Sequence, residues 1–305
     1  MTGYLLLALL ALLIAAPILR ETLRRPVDDA ARRTAPGATA DLSRGATHYR
    51  WFGPQDGPVI VCVHGLTTPS YVWHGLAVPL AERGHRVLVY DLYGRGLSDR
   101  PTDPQTLDFH VAQLQELLDD QQVTEPFVLF GHSMGGAIAT RFAANQPERI
   151  RRLVLVTPAG MAVTTDALTR FIIRTPLIGD WLMLAIYPRQ HRAYAEAERP
   201  LPSSVPGIVD LQQAELDRRG YIPAVLSSMR GVFGSDLESA HRALHRAGTP
   251  VLALWGEIDP VIPLSARDTL ARWNPDARQE VIPGAGHGVP YNDTDAVMAL
   301  LPDPL

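Results

Sequence analysis

Pro126-Phe127-Val128-Leu129-Phe130, then Gly131-His132-Ser133-Met134-Gly135-Gly136, then Ala137-Ile138-Ala139-Thr140-Arg141-Phe142-Ala143-Ala144: a short apolar run, a serine among glycines, and a helix-forming run. The first run reads as a buried strand and the last as a helix. A serine between glycines at a strand-to-helix junction has a chemical meaning. A tight, strained turn projects the hydroxyl clear of a sheet, and neighbours lacking Cβ let strand and helix close around it. Gly and Ser are common in loops, so the pentapeptide alone carries little. Its flanks make Ser133 a candidate nucleophile.

Outward from this turn, buried strands are expected at 59–63, 86–90 and 153–156, with helices at 72–83 and 106–120 between them. The β-branched run Val59-Ile60-Val61-Cys62-Val63 is typical of a strand covered on both faces. An earlier antiparallel strand fits the alternation of residues 47–52. Such alternation of strand and helix argues for an α/β fold with a mostly parallel sheet. The pattern breaks at Pro158. Up to Gly248 only helical stretches appear, at 165–173, 179–187, 209–219 and 221–231, with prolines between them. That block is too long for a loop and reads as a helical cap over the sheet. Alternation returns with strands at 251–255 and 278–282 and helices at 264–273 and 293–301. The expected organisation is a core of residues 41–157 and 249–305, with a cap of residues 158–248.

A serine hydroxyl is a poor nucleophile at neutral pH and needs a base, which in turn needs an orienting acid. Both should lie in loops at the carboxyl ends of strands. Asp259 follows the strand at 251–255, and His287 follows the strand at 278–282 in the loop Gly284-Ala285-Gly286-His287. Glu257 competes with Asp259 for the acid, but Asp259 stands where a turn presents its side chain. Of ten histidines, only His287 sits in a small-residue loop after the last strand. His64 and His132 are expected to build the turns that hold backbone amides. The oxyanion of a tetrahedral intermediate needs backbone donors, here the N–H groups of Met134 and Leu66. Asp91, Gly94 and Gly96 form a second glycine-rich turn, read as structural because no phosphate-binding pattern accompanies it.

His64-Gly65, Asp91-Leu92-Tyr93-Gly94-Arg95-Gly96-Leu97-Ser98, Gly131 to Gly136, Trp255-Gly256-Glu257-Ile258-Asp259-Pro260 and Gly284 to His287 stand in an order that resembles the α/β-hydrolase superfamily, of the single-chain esterase and lipase type. The likeness covers residues 59–287. It implies an eight-stranded, mostly parallel sheet with helices on both faces, a cap between the sixth and seventh strands, and no cofactor. It also places the nucleophile at Ser133, the acid at Asp259 and the base at His287, with the oxyanion hole made by the amides of Leu66 and Met134. Serine rather than aspartate at the elbow departs from the haloalkane dehalogenases and epoxide hydrolases of the superfamily.

Residues 4–19 are almost wholly apolar and would reach roughly 25 Å as a helix. Arg20, Arg24, Arg25, Arg32 and Arg33 follow this run and no cation precedes it. The positive-inside rule then puts the amino terminus outside and the domain on the cytoplasmic side. Residues 1–20 are expected to be an uncleaved single-pass anchor, with an export signal as the alternative, and residues 21–40 a weakly structured linker. With 305 residues, 46% hydrophobic and 20% charged, the chain can bury a sizeable core. A net charge of −4 offers no basic face for nucleic acid. Cys62, the single cysteine, reads as an inert buried thiol, and no Cys/His spacing suggests zinc.

The expected reaction is hydrolysis of a carboxylic ester through an acyl-enzyme, on a small-molecule substrate that membrane anchoring would make a lipid ester such as a monoacylglycerol. Apolar cap residues Phe171, Ile172, Ile173, Trp181, Leu182, Met183, Leu184 and Ile186 are candidates for lining an acyl channel or for packing the cap onto the sheet. The alternatives are carbon–carbon bond hydrolysis on the same triad, and a non-catalytic member that only binds a ligand.

Overall fold

A computed structural model describes residues 2–305. Its eight strands are β1 (Ala38–Leu42), β2 (Gly45–Phe52), β3 (Val59–Val63), β4 (Arg86–Tyr90), β5 (Phe127–His132), β6 (Ile150–Val156), β7 (Val251–Gly256) and β8 (Arg278–Ile282). They form one sheet in the order β1-β2-β4-β3-β5-β6-β7-β8. β2 runs antiparallel to both its neighbours, and every pair from β4 to β8 is parallel. The chain steps from β3 outward to β4 and then back across β3 to β5. Loops leaving β3 and β5 therefore diverge at the carboxyl edge, where an open sheet forms its crevice.

The β-branched runs are explained by two cores. Val61 and Val63 point to the face covered by Leu114, Ile138, Leu244 and Leu270. Ile60 and Cys62 point to the face covered by Val72, Leu76, Leu80 and Val297. Both faces are covered by helices, so neither side of the strand can be polar. Cys62 is wholly buried, and that burial pushes its thiol pKa up, which keeps it protonated.

Two expectations need correction. Residues 21–40 are not a loose linker. Asp28 caps the helix Asp29–Thr34 by accepting from Ala31 N–H at 2.9 Å. Arg32 pairs with Asp99 and donates to Leu97 O at 3.0 Å. The sheet itself begins at Ala38, ahead of the expected start at Asp41. Polar composition reads as solvated chain, whereas Asp28 caps a helix and Arg32 has partners far away in sequence. The cap is also shorter than 158–248. The helix Glu238–Ala247 packs against the helix Met134–Asn145, and its Ala240 and Leu244 belong to the sheet's own core. Four helices remain over the crevice: Ala167–Arg174, Ile178–Glu198, Ile208–Ala214 and Tyr221–Val232. Pro188 lies inside the second of these rather than ending it.

The glycine-punctuated turn after β4 is a scaffold for the first strands. Asp91 is buried and accepts from Ser70 N–H and Leu97 N–H, each at 2.9 Å, and from His48 Nδ1 at 3.0 Å. Burial alone would raise the Asp91 carboxyl, but the hydrogen bond and charge of His48 outweigh it and hold it well below the usual range. For His48, burial works against the cation, and the same carboxylate outweighs that and raises its pKa. The Asp91 contribution is present above its unfolded value of 3.8 and is lost as pH falls through the lower folded value. The His48 contribution is full below its unfolded value of 6.5 and is lost as pH rises through the higher folded value. A His48→Ala variant should therefore lose about 1–3 kcal/mol near pH 5. The gap to wild type in urea midpoints should narrow on going to pH 9, and a gap independent of pH would refute the pairing.

Candidate active site

Ser133 follows β5 directly and caps the helix Met134–Asn145 at φ 52°, ψ −121°. Positive φ is unfavourable for a side chain bearing a Cβ, and the surroundings must enforce it. They do so by hydrogen bonds: Ser133 N–H donates to Val156 O at 3.1 Å, while Ser133 O accepts from Gly136 N–H at 2.9 Å and Ala159 N–H at 3.0 Å. Close approach requires the flanking glycines. A Cβ on Gly135 would lie 2.1 Å from Val63 O, and one on Gly131 would lie 2.5 Å from Gly135 O. The turn thus presses against the end of β3.

The structure brings Ser133, His287 and Asp259 into one hydrogen-bonded line. His287 Nδ1 lies 2.7 Å from Asp259 Oδ2, and His287 Nε2 lies 3.0 Å from Ser133 Oγ. A carboxylate only accepts, so the proton of the neutral ring sits on Nδ1 and leaves Nε2 free to accept from the serine hydroxyl. Asp259 Oδ1 accepts from Val261 N–H at 2.7 Å and Ile262 N–H at 2.9 Å. Burial pushes the Asp259 carboxyl up, but its bond to His287 and these amides outweigh that and hold it below the ordinary value. Glu257, the competing acid, instead accepts from Gly284 N–H at 2.8 Å on the exposed side of the turn. His132 Nε2 lies 3.1 Å from His287 O, and burial pushes its pKa down to about 3.

Leu66 lines the same cavity as Ser133, and Met134 follows the serine directly. Neither Leu66 N–H nor Met134 N–H has an acceptor among the described residues. His64 sets the first of them. Leu92 N–H donates to His64 Nε2 at 2.9 Å, so the ring proton is on Nδ1, which donates to Gly65 O at 2.8 Å. That carbonyl belongs to the peptide carrying Leu66 N–H, so its orientation aims the amide the opposite way. Burial pushes the His64 pKa down to about 4, which keeps the ring uncharged at neutral pH, and the two hydrogen bonds set its tautomer. Two further groups fasten the loop: Arg95 Nε donates to Leu66 O at 2.9 Å, and Tyr221 OH donates to Thr67 O at 2.8 Å. Sequence reasoning missed both. Arg95 lies in the turn after β4 and Tyr221 in the cap, and no local pattern says that their side chains cross to residues 66 and 67. A His64→Ala variant should lower kcat by up to about 10²–10³-fold, the cost of misplacing one oxyanion donor, with little change in KM. Steady-state kinetics on an activated ester check this.

A cavity of about 280 Å³ opens above Ser133 and His287. Its floor includes Gly65 and Leu66. Its walls mix apolar side chains, among them Ile172, Met183, Met229 and Val261, with polar ones from the cap such as Gln190 and Gln212. Of the eight apolar cap residues considered for an acyl channel, only Ile172 and Met183 line it. Ile173, Leu182 and Leu184 pack within the cap, Phe171 faces outward, and the Trp181 indole donates to Ile14 O of the N-terminal helix at 2.9 Å. No group of three or more His, Cys, Asp or Glu side chains among the described residues could hold a metal ion.

A family model described as the alpha/beta hydrolase family matches residues 60–300. An uncharacterized protein of Mycobacterium tuberculosis is 27% identical over 284 residues, covering 89% of this chain and 81% of its own length. A 2-hydroxymuconate semialdehyde hydrolase of Pseudomonas is 30% identical over 241 residues, covering 75% of this chain and 80% of the relative. Among solved structures, an enol-lactonase from Burkholderia xenovorans superposes with a TM-score of 0.70 at 21% identity, over 86% of this chain and 97% of that one.

Proposed function

This chain belongs to the α/β-hydrolase family, and on that premise we propose that it hydrolyses uncharged carboxylic esters through an acyl-enzyme on Ser133. The observation that carries the reading is the hydrogen-bonded line Asp259–His287–Ser133, together with two amides, of Leu66 and Met134, that have no acceptor among the described residues. His287 Nε2 takes the hydroxyl proton as Ser133 Oγ bonds to the carbonyl carbon. The oxyanion that forms accepts from Leu66 N–H and Met134 N–H. Collapse breaks the bond to the alcohol oxygen, which leaves with the proton from His287. Water then attacks the acyl carbon with His287 as base, and the acid departs as Ser133 regains its proton. Asp259 holds the ring and stabilises its transient positive charge.

The carbon–carbon bond hydrolase reading keeps the same triad and gains weight from the 2-hydroxymuconate semialdehyde hydrolase relative. A carboxylate-bearing substrate would call for a cation in the pocket, and the described lining contains neither Arg nor Lys. That favours a neutral ester. The apolar N-terminal helix favours one drawn from lipid, such as a monoacylglycerol. A panel of p-nitrophenyl esters of increasing acyl length tests the proposal. Turnover is expected on several of them, and absence of turnover on all would sink the ester assignment.

A further inference from the structure

The helix Thr2–Thr22 contains a run, Tyr4–Thr22, long and apolar enough to cross a membrane by length and composition. Its second half is fastened to the cap. Trp181 holds Ile14 O, as above. The Glu21 carboxylate accepts from Gly220 N–H at 2.6 Å, at the start of the helix Tyr221–Val232. Arg25 N–H donates to Asp217 O at 3.0 Å, and Arg25 O accepts from Arg219 N–H at 2.8 Å. The apolar residues 4–13 ahead of these contacts reach about 15 Å as a helix, near half of a ~30 Å hydrocarbon core.

Where the helix passes Trp181, the cap presents an apolar tip. Leu177 is 82% exposed and Ile178 58% exposed. Leu177 has φ 65°, a conformation that side chains avoid. It is held there because its N–H donates to Asp180 Oδ2 at 2.7 Å, and Asp180 pairs with Arg230 at 2.7 Å. Arg230 also holds Ile173 O at 3.0 Å and Ile172 O at 3.2 Å, which ties the tip to the helix Ala167–Arg174. That helix exposes Leu168 and Phe171 beside Arg170 and Arg174. A strained, braced, water-facing leucine next to further exposed apolar side chains is unusual for a free surface. Apolar side chains flanked by arginines suit a bilayer interface, where the arginines reach the headgroups.

We propose that this cap edge is a membrane-docking surface, with Leu177, Ile178, Leu168 and Phe171 seated in one leaflet of a lipid bilayer beside residues 4–13. The helix Ala167–Arg174 turns Thr169 and Ile172 to the cavity. The docked edge is therefore also a wall of the pocket, which suits a substrate taken from the lipid phase. The surface stands apart from the ester chemistry, and the vesicle readouts that decide it do not depend on turnover.

The test uses the full chain with vesicles of phosphatidylcholine and phosphatidylglycerol. Leu177→Cys is labelled with an environment-sensitive fluorophore, and Val78→Cys, exposed on the helix His74–Glu82 outside the proposed surface, serves as the reference. Cys62 is buried and does not compete for the label. Emission at position 177 should shift to the blue and be quenched by nitroxide-bearing lipid, and emission at 78 should do neither. Water-like emission at both positions would overturn the proposal. A blue shift at 177 that arises without vesicles and grows with protein concentration would also overturn it, assigning the tip to a second copy of the chain. The Leu177→Asp, Ile178→Asp double variant should bind vesicles roughly tenfold more weakly while hydrolysing a soluble ester as wild type does. Circular dichroism and a melting temperature matching wild type check that the variant keeps the fold. Unchanged vesicle binding by this variant would likewise overturn the proposal.

Discussion

Replacing Ser133 by alanine should reduce ester turnover by about 10⁴–10⁶-fold, or roughly 5–8 kcal/mol of barrier. The size follows from what is lost. His287 and Asp259 act only through the serine oxygen, so without it they have no nucleophile to activate. A residue of rate above water would persist, because two free amides still polarise a bound carbonyl. The alanine variant should fold as wild type does, since Ser133 contributes one hydrogen bond and little buried volume. Ser133→Gly supplies a second readout. It should be as inactive as alanine but more stable by about 1 kcal/mol, because glycine adopts φ 52° without steric cost. Activity that survives in Ser133→Ala would refute the acyl-enzyme, whatever the panel of esters shows.

Asp259→Asn should lower kcat by about 10⁴-fold and leave KM nearly unchanged. An amide in place of the carboxylate can donate to His287 Nδ1, which favours the ring tautomer with its proton on Nε2. That proton would face Ser133 Oγ and block its activation. Asp259 does not line the cavity, so substrate binding should not change. Glu257→Gln is the matching control. Its carboxylate only accepts from Gly284 N–H on an exposed turn, and both kinetic constants should stay within about twofold of wild type. A large effect from Glu257→Gln with a small one from Asp259→Asn would transfer the acid to Glu257.

The strands at 59–63, 86–90 and 278–282 have the bounds expected from sequence. The first two are short runs whose apolar residues are buried from both sides, so their composition records both layers of helix at once. β1 was illegible because Ala-Thr-Ala-Asp-Leu at the sheet edge has little to bury and carries no alternation. Residues 25 and 32 read as linker because what they meet lies far along the chain: the Arg25 backbone bonds to Asp217 O, and the Arg32 side chain pairs with Asp99. In the site, strand ends and small-residue loops are enough for the sequence to point to Ser133, Asp259 and His287. Arg95 and Tyr221 gave no signal, since a long side chain reaching another loop leaves no periodicity behind. The same holds for the pocket wall: helical spacing marks an apolar face but not which neighbour it meets. Trp181 meets the N-terminal helix and Met183 meets the cavity, although they share one helix.

The bonds that tie Glu21 to Gly220 and Arg25 to Asp217 and Arg219 bear on how the enzyme is prepared. Cutting the chain at Asp41 would be the obvious route to a detergent-free sample. It would also remove three residues of β1 and release the start of the helix that carries Tyr221, whose hydroxyl steadies the loop beside Ser133. Kinetics of such a trimmed protein would describe a looser cap and a less rigid loop at residues 65–67. Purification with the amino-terminal helix intact, in detergent or nanodiscs, preserves the active-site geometry described above.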